Sequence, residues 1–123
     1  MSQWMLLFPG QGAQTVGMGS DLAAGLPECR ALFDEASDVL GLDLLKLCTE
    51  GPLEELTKSR NAQPAIFVVS MAARAALAHA AGVPLAVGGT AGLSSGEWAA
   101  LHEAGVISFA DTVRVLRARG EFM

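Results

Sequence analysis

Leu85-Ala86-Val87-Gly88-Gly89-Thr90-Ala91-Gly92-Leu93-Ser94-Ser95-Gly96-Glu97-Trp98-Ala99-Ala100-Leu101-His102-Glu103-Ala104 reads as a strand, a sharp turn and a helix. Leu85–Thr90 is short and apolar, which predicts a buried strand. Glu97–Ala104 predicts a helix that Gly105 stops. Between them, Gly92-Leu93-Ser94-Ser95-Gly96 fits GxSxG, the nucleophile elbow. A serine at such a corner is held in a strained turn, and glycines two residues to either side keep neighbouring backbones from clashing. Its hydroxyl then projects outward, where the Ser95 N–H and the positive end of the helix face any oxyanion formed there. Ser94 is therefore the candidate nucleophile. A Gly/Ser-rich turn that merely joins two elements has the same composition, and the pattern alone does not separate the two readings. Ser94-x-x-Glu97 has capping-box spacing, so Glu97 is expected to cap the helix rather than take part in chemistry.

Outward toward the N-terminus, Met5-Leu6-Leu7-Phe8 is a second apolar run, stopped by Pro9 and Gly10, and predicts another buried strand. A Gly/Gln-rich loop, Pro9 to Gly19, follows it. Its glycines let backbone approach a ligand, but it lacks both the Lys-Ser/Thr of a P-loop and the GxGxxG of a dinucleotide fold. A helix is expected after Pro27, with Leu32, Phe33, Ala36, Val39 and Leu40 at helical spacing and Gly41 as its stop. Leu42–Glu50 and Pro52–Thr57 read as two short helices. Pro64 suits the first residue of a long helix to Ala81. Ser108, with Asp111 three residues on, opens a final helix. Strand, helices, strand, elbow, helix is an α/β pattern, but two strands make a poor sheet with exposed edges. The chain reads as part of something larger.

The chain has 123 residues and a net charge of −5, one domain at most. That charge argues against nucleic acid, whose binding rests on neutralising phosphates. No uninterrupted apolar run reaches the roughly 18 residues of a membrane span, and Met1-Ser2-Gln3-Trp4 lacks the features of a signal peptide. Cys29 and Cys48 lie in no CxxC or Cys/His cluster, which favours a reduced, cytoplasmic protein without a metal site.

Of the arginines near the C-terminal end, Arg114 has Asp111 and Arg117 has Glu121 at ion-pairing spacing. Arg119 has only Val115, Leu116, Phe122 and Met123 at such spacings. A guanidinium beside an apolar stripe either extends its head to water or meets an anion from elsewhere. The two histidines are poor candidates for a base. His102 is about 12 Å along a helix from Ser94, at about 1.5 Å per residue, and His79 reads as a surface histidine near a helix end.

Phe8-Pro9-Gly10-Gln11-Gly12-Ala13-Gln14, Asn61-Ala62-Gln63-Pro64-Ala65-Ile66, Gly92-Leu93-Ser94-Ser95-Gly96-Glu97-Trp98 and Arg117-Ala118-Arg119-Gly120 closely resemble the ordered motifs of malonyl-CoA:acyl-carrier-protein transacylases. The related acyltransferase domains of polyketide and fatty-acid synthases share them. The resemblance runs from residue 4 to residue 123. It implies a partial α/β-hydrolase-like subdomain, with short parallel strands packed by helices and an incomplete sheet. Residues 1–123 would be the N-terminal part of the large acyltransferase subdomain, with the ferredoxin-like small subdomain and the catalytic histidine lying beyond them.

The roles implied are specific. Ser94 would carry malonyl as an ester from coenzyme A to the phosphopantetheine thiol of acyl-carrier protein, for fatty-acid or polyketide synthesis, with no bound cofactor. The N–H groups of Gln11 and Ser95 would form the oxyanion hole, Arg119 would pair with the malonyl carboxylate, and Gln63 would lie close by. Leu93 departs from the family, which usually has His there. Two other readings stay open, a serine hydrolase using the same elbow and a non-catalytic half that binds a partner chain.

Overall fold

The two apolar runs pair with each other. In a computed structural model that describes residues 3–123, β1 (Trp4–Phe8) and β2 (Val87–Gly92) form a two-stranded parallel sheet, running in register from Met5 beside Gly89 to Phe8 beside Gly92. The second strand lies two residues later than its composition suggests. The ladder starts where β1 starts, with the Trp4 N–H donating to the Ala86 carbonyl at 2.7 Å, so Leu85 falls outside it. At the other end it runs to the elbow itself. The reading of Met1 and Ser2 as free of a signal peptide concerns residues outside those described.

A parallel pair needs a crossover, and here five helices supply it: α1 (Ser20–Gly25), α2 (Pro27–Leu40), α3 (Leu44–Glu50), α4 (Leu53–Thr57) and α5 (Ser59–Ala81). After β2 come α6 (Gly96–Glu103) and α7 (Phe109–Glu121). Several stops are local chemistry. Pro27 is the first residue of α2, and Gly41 ends it at φ 71°, a left-handed conformation that suits glycine. The Asp43 carboxylate accepts from the Lys46 N–H at 3.0 Å and caps α3. Ser108 caps α7 by accepting from the Asp111 N–H at 3.2 Å, as its spacing predicts.

Two elements depart from the expectation. The turn α1, which the sequence leaves unassigned, has no buried residue of its own. It is held from outside: a Cβ on Gly19, at its head, would sit 2.6 Å from the Phe33 ring, and Leu22 and Ala23 pack on the core. The long helix α5 begins at Ser59, not at Pro64, which lies inside it. An internal proline leaves the carbonyl four residues back without its helical donor. Burial outweighs that cost, because Asn61 through Val68 are all inside the fold, and the Asn61 amide donates to the Glu55 carbonyl at 2.9 Å.

The core gathers on α5. Phe33, Leu44, Leu56, Val68, Val113 and Leu116 are fully buried, contributed by α2, α3, α4, α5 and α7. By length and composition α5 would suffice to cross a membrane, but its first half is the centre of this core. Cys29 and Cys48 are free and buried. Burial pushes the Cys48 thiol up to about 12. Burial, and then the Glu28 charge, raise Cys29. The face of β1 that carries Met5 and Leu7 is open, and Trp4 at its start is exposed as well.

Candidate active site

The ends of β1 and β2 and the start of α6 meet closer than side chains allow. A Cβ on Gly92 would collide with the Gly96 carbonyl, and one on Gly96 with the Phe8 carbonyl. A Cβ on Gly10 would lie 2.5 Å from the Leu93 carbonyl and 3.5 Å from the Ser94 Cβ. The glycines of the loop after β1 and of the elbow therefore let the two strand ends touch. At this junction Ser94 has φ 57°, the only positive φ of a non-glycine among the described residues. Such a conformation costs about 1–3 kcal/mol and persists where its surroundings impose it.

The strain turns the Ser94 hydroxyl away from α6. Ser95, not Ser94, is the residue before that helix, no side chain caps it, and Glu97 is exposed. The capping box expected of Ser94 and Glu97 does not form, because the elbow geometry takes the hydroxyl elsewhere. Glu97 remains in the first turn, where its charge suits the helix dipole. The Ser95 side chain is 4% exposed and its Oγ has no partner. The backbone N–H groups of Gln11 and Ser95 donate to no acceptor among the described residues.

Ser94 instead meets Arg119. The guanidinium donates through Nη2 to Ser94 Oγ at 3.1 Å and through Nη1 to Gln63 Oε1 at 2.9 Å. Arg114 and Arg117 pair with Asp111 at 2.7 Å and Glu121 at 3.2 Å, as their spacing predicts. Arg119 has no carboxylate within ion-pair distance among the described residues. It is held in place by neutral groups, which leaves its charge uncompensated. Gln63, 1% exposed, also donates to Gln11 Oε1 at 3.4 Å and to the Met123 thioether at 2.9 Å. Gln11 in turn donates through Nε2 to Ser59 Oγ at 2.9 Å.

The sequence reading does not include Ser59 in the site. Starting α5 at Pro64 hides it, since only a helix from residue 59 puts Ser59 one turn before Gln63, on the same face. Both histidines are occupied away from Ser94. His102 Nδ1 lies 2.8 Å from the Ile107 carbonyl, with its ring edge-on to Phe67. His79 lies exposed, 3.3 Å from Glu28. Leu93 is 80% exposed and points away from the fold.

A strained serine and a guanidinium without a carboxylate partner thus meet where the two strand ends converge. The family described as acyl transferase domain matches residues 5–123. The chain belongs to the acyl transferase domain family. It is 47% identical to the malonyl CoA-acyl carrier protein transacylase of Escherichia coli K12 over 123 residues, which is 100% of this chain and 39% of the relative. It is also 47% identical to the mitochondrial malonyl-CoA-acyl carrier protein transacylase of Mus musculus, over 97% of this chain and 31% of that one.

Among solved structures, the malonyl CoA-acyl carrier protein transacylase of Coxiella burnetii superposes with TM-score 0.91 at 35% identity, over 98% of this chain and 38% of that chain. A malonyl-transacylase solved in complex with a type II polyketide synthase acyl-carrier protein superposes with TM-score 0.89 at 43% identity, with the same coverage. This acyl transferase chain thus spans roughly two-fifths of the length of the relatives it matches. Its α/β architecture, a short parallel sheet among helices, is that of their N-terminal portions.

Proposed function

We propose that these residues form the nucleophile-bearing part of a malonyl-CoA:acyl-carrier-protein S-malonyltransferase. Ser94 Oγ attacks the thioester carbonyl of malonyl-CoA, the C–S bond breaks, and coenzyme A leaves as the thiol with malonyl held as a serine ester. The phosphopantetheine thiol of acyl-carrier protein then attacks that ester and releases Ser94. Both steps pass through a tetrahedral oxyanion, and the N–H groups of Gln11 and Ser95 are its donors. Each such donor is worth about 3–4 kcal/mol of barrier.

The observation that carries this reading is the contact of Arg119 with Ser94. A guanidinium has five N–H donors and no acceptor. Two are engaged by Gln63 and Ser94, so donors remain for the bidentate grip that a carboxylate accepts. A nucleophile beside that fork favours malonyl over acetyl, whose methyl offers it nothing. A neutral ester would leave the arginine equally idle, which ranks hydrolysis of simple esters below acyl transfer. Neither His79 nor His102 reaches the hydroxyl, so full activity needs a base from outside the described residues. Fatty-acid or polyketide synthesis in the cytoplasm is the proposed setting, and the free Cys29 and Cys48 suit a reducing compartment.

The test is intact mass of the protein at its natural length after brief exposure to malonyl-CoA. One malonyl group is expected, absent in Ser94→Ala. Arg119→Ala should lose the preference for malonyl over acetyl; an unchanged preference would remove the carboxylate role from Arg119.

A further inference from the structure

The direction of the hydrogen bonds around Arg119 is fixed by the arginine itself. Having only donors, it must meet the oxygen of the Gln63 amide. The Gln63 nitrogen then faces Gln11 and needs an acceptor, so Gln11 must present its own oxygen. The Gln11 nitrogen is left pointing outward as a donor, and the group that receives it is Ser59 Oγ, at 2.9 Å. The chain from Arg119 to Ser59 therefore runs in one direction, and Ser59 is its terminal acceptor. Were that end unmade, the Gln11 amide could rotate and offer its nitrogen to Gln63. The Gln63 amide would then keep the Met123 thioether but lose the second of its two acceptors, at a contact that is already long, 3.4 Å.

A second tie joins the same two places through backbone. A Cβ on Gly120, the neighbour of Arg119, would collide with the Ser59 carbonyl and lie 2.5 Å from the Arg60 Cα. The last turn of α7 thus rests directly on the first turn of α5. Ser59 touches both sides of the site, the backbone beside Arg119 and the side chain of Gln11, whose own N–H is unengaged.

We propose that Ser59 is a positioning residue: as terminal acceptor of the Gln11–Gln63 amide chain it holds the Arg119 guanidinium at Ser94 for an incoming carboxylate. This rests on the transacylase reading. It adds that preference for a carboxylate-bearing acyl group depends on a hydroxyl that never touches substrate.

The experiment is the rate of Ser94 acylation by malonyl-CoA and by acetyl-CoA, read by rapid quench and intact mass in the protein at its natural length. Wild type, Ser59→Ala, Ser59→Thr, Gln11→Ala and the Ser59→Ala/Gln11→Ala double variant are compared. Ser59→Ala should slow malonyl acylation about five-fold, the worth of one hydrogen bond, and leave acetyl acylation within two-fold (~0.4 kcal/mol). Ser59→Thr, which keeps the hydroxyl, should restore the malonyl rate. Gln11→Ala should slow malonyl acylation at least as much, and adding Ser59→Ala to it should slow malonyl acylation no further. Where Ser59→Ala folds poorly, Gln11→Ala alone still reads the amide chain, and an unchanged malonyl rate there would overturn the positioning role. Equal losses for malonyl and acetyl, additive losses in the double variant, or no loss at all would overturn the positioning role. A wild type that takes no malonyl overturns the transacylase reading, and the positioning role with it; the other failures leave that reading intact.

Discussion

The serine elbow and the first turn of α5 both serve Arg119, yet they are built in opposite ways. The elbow is local: within five residues, two glycines and one strained serine set its shape, and strand and helix follow directly on either side. The first turn of α5 is a poor helix start by its own sequence. No side chain caps it, and Pro64 interrupts its hydrogen bonds. It stands because α7 rests on it at Gly120 and because the fold buries Asn61 through Val68. One half of the site has its turn written into five consecutive residues, which then fit against the end of β1; the other is held up only by residues nearly half a chain away.

That contrast is open to direct attack. The largest effect should come from Gly96→Ala, whose Cβ meets the Phe8 carbonyl, a backbone group that cannot rotate away. A loss of about 3 kcal/mol in urea unfolding is expected, with Ser94 acylation abolished. Gly120→Ala strikes the distant half. It should cost about 2 kcal/mol and reduce the malonyl preference more than the acetyl rate, because it displaces α7 and with it Arg119. If both variants lost the two activities equally, the division between a local and a distant half would be wrong.

Ser94→Gly against Ser94→Ala isolates the strain. Neither is acylated, but glycine accepts φ 57° freely, so Ser94→Gly should be more stable by about 1 kcal/mol. Equal midpoints would mean that the turn is not strained. The smallest effect should be that of Ser95→Ala. It removes a buried hydroxyl without a partner and keeps the backbone N–H. Stability should stay within about 0.5 kcal/mol or rise, with acylation retained. A large loss of acylation would give the Ser95 side chain a role beyond its backbone.

Much of the fold was legible because its signals are local. Pro27 and Gly41 bracket α2, Ser108 opens α7, and Arg114 and Arg117 have their ion partners one turn away. The same locality makes Ser94 the candidate nucleophile and leaves Arg119 as the arginine without a partner. The misses share a cause. The turn α1 is illegible in the sequence because what holds it is Phe33 packing on Gly19. The sequence points to Pro64 as the start of α5 because a proline first in a helix is the ordinary case, and only burial permits the exception. The capping role expected of Glu97 failed because positive φ at Ser94 redirects the hydroxyl.

By itself, then, the amino-acid sequence determined an α/β chain with a serine at a strand-to-helix corner and an arginine in need of an anion. Both follow from steric and charge rules that act over a few residues. Only the tertiary structure decided that the arginine rests on that serine, and that Gln63, Gln11 and Ser59 hold it there. A hydrogen-bond chain between residues 11, 59, 63, 94 and 119 depends on where two helices, a loop and the elbow pack, and packing sums contacts over the whole chain.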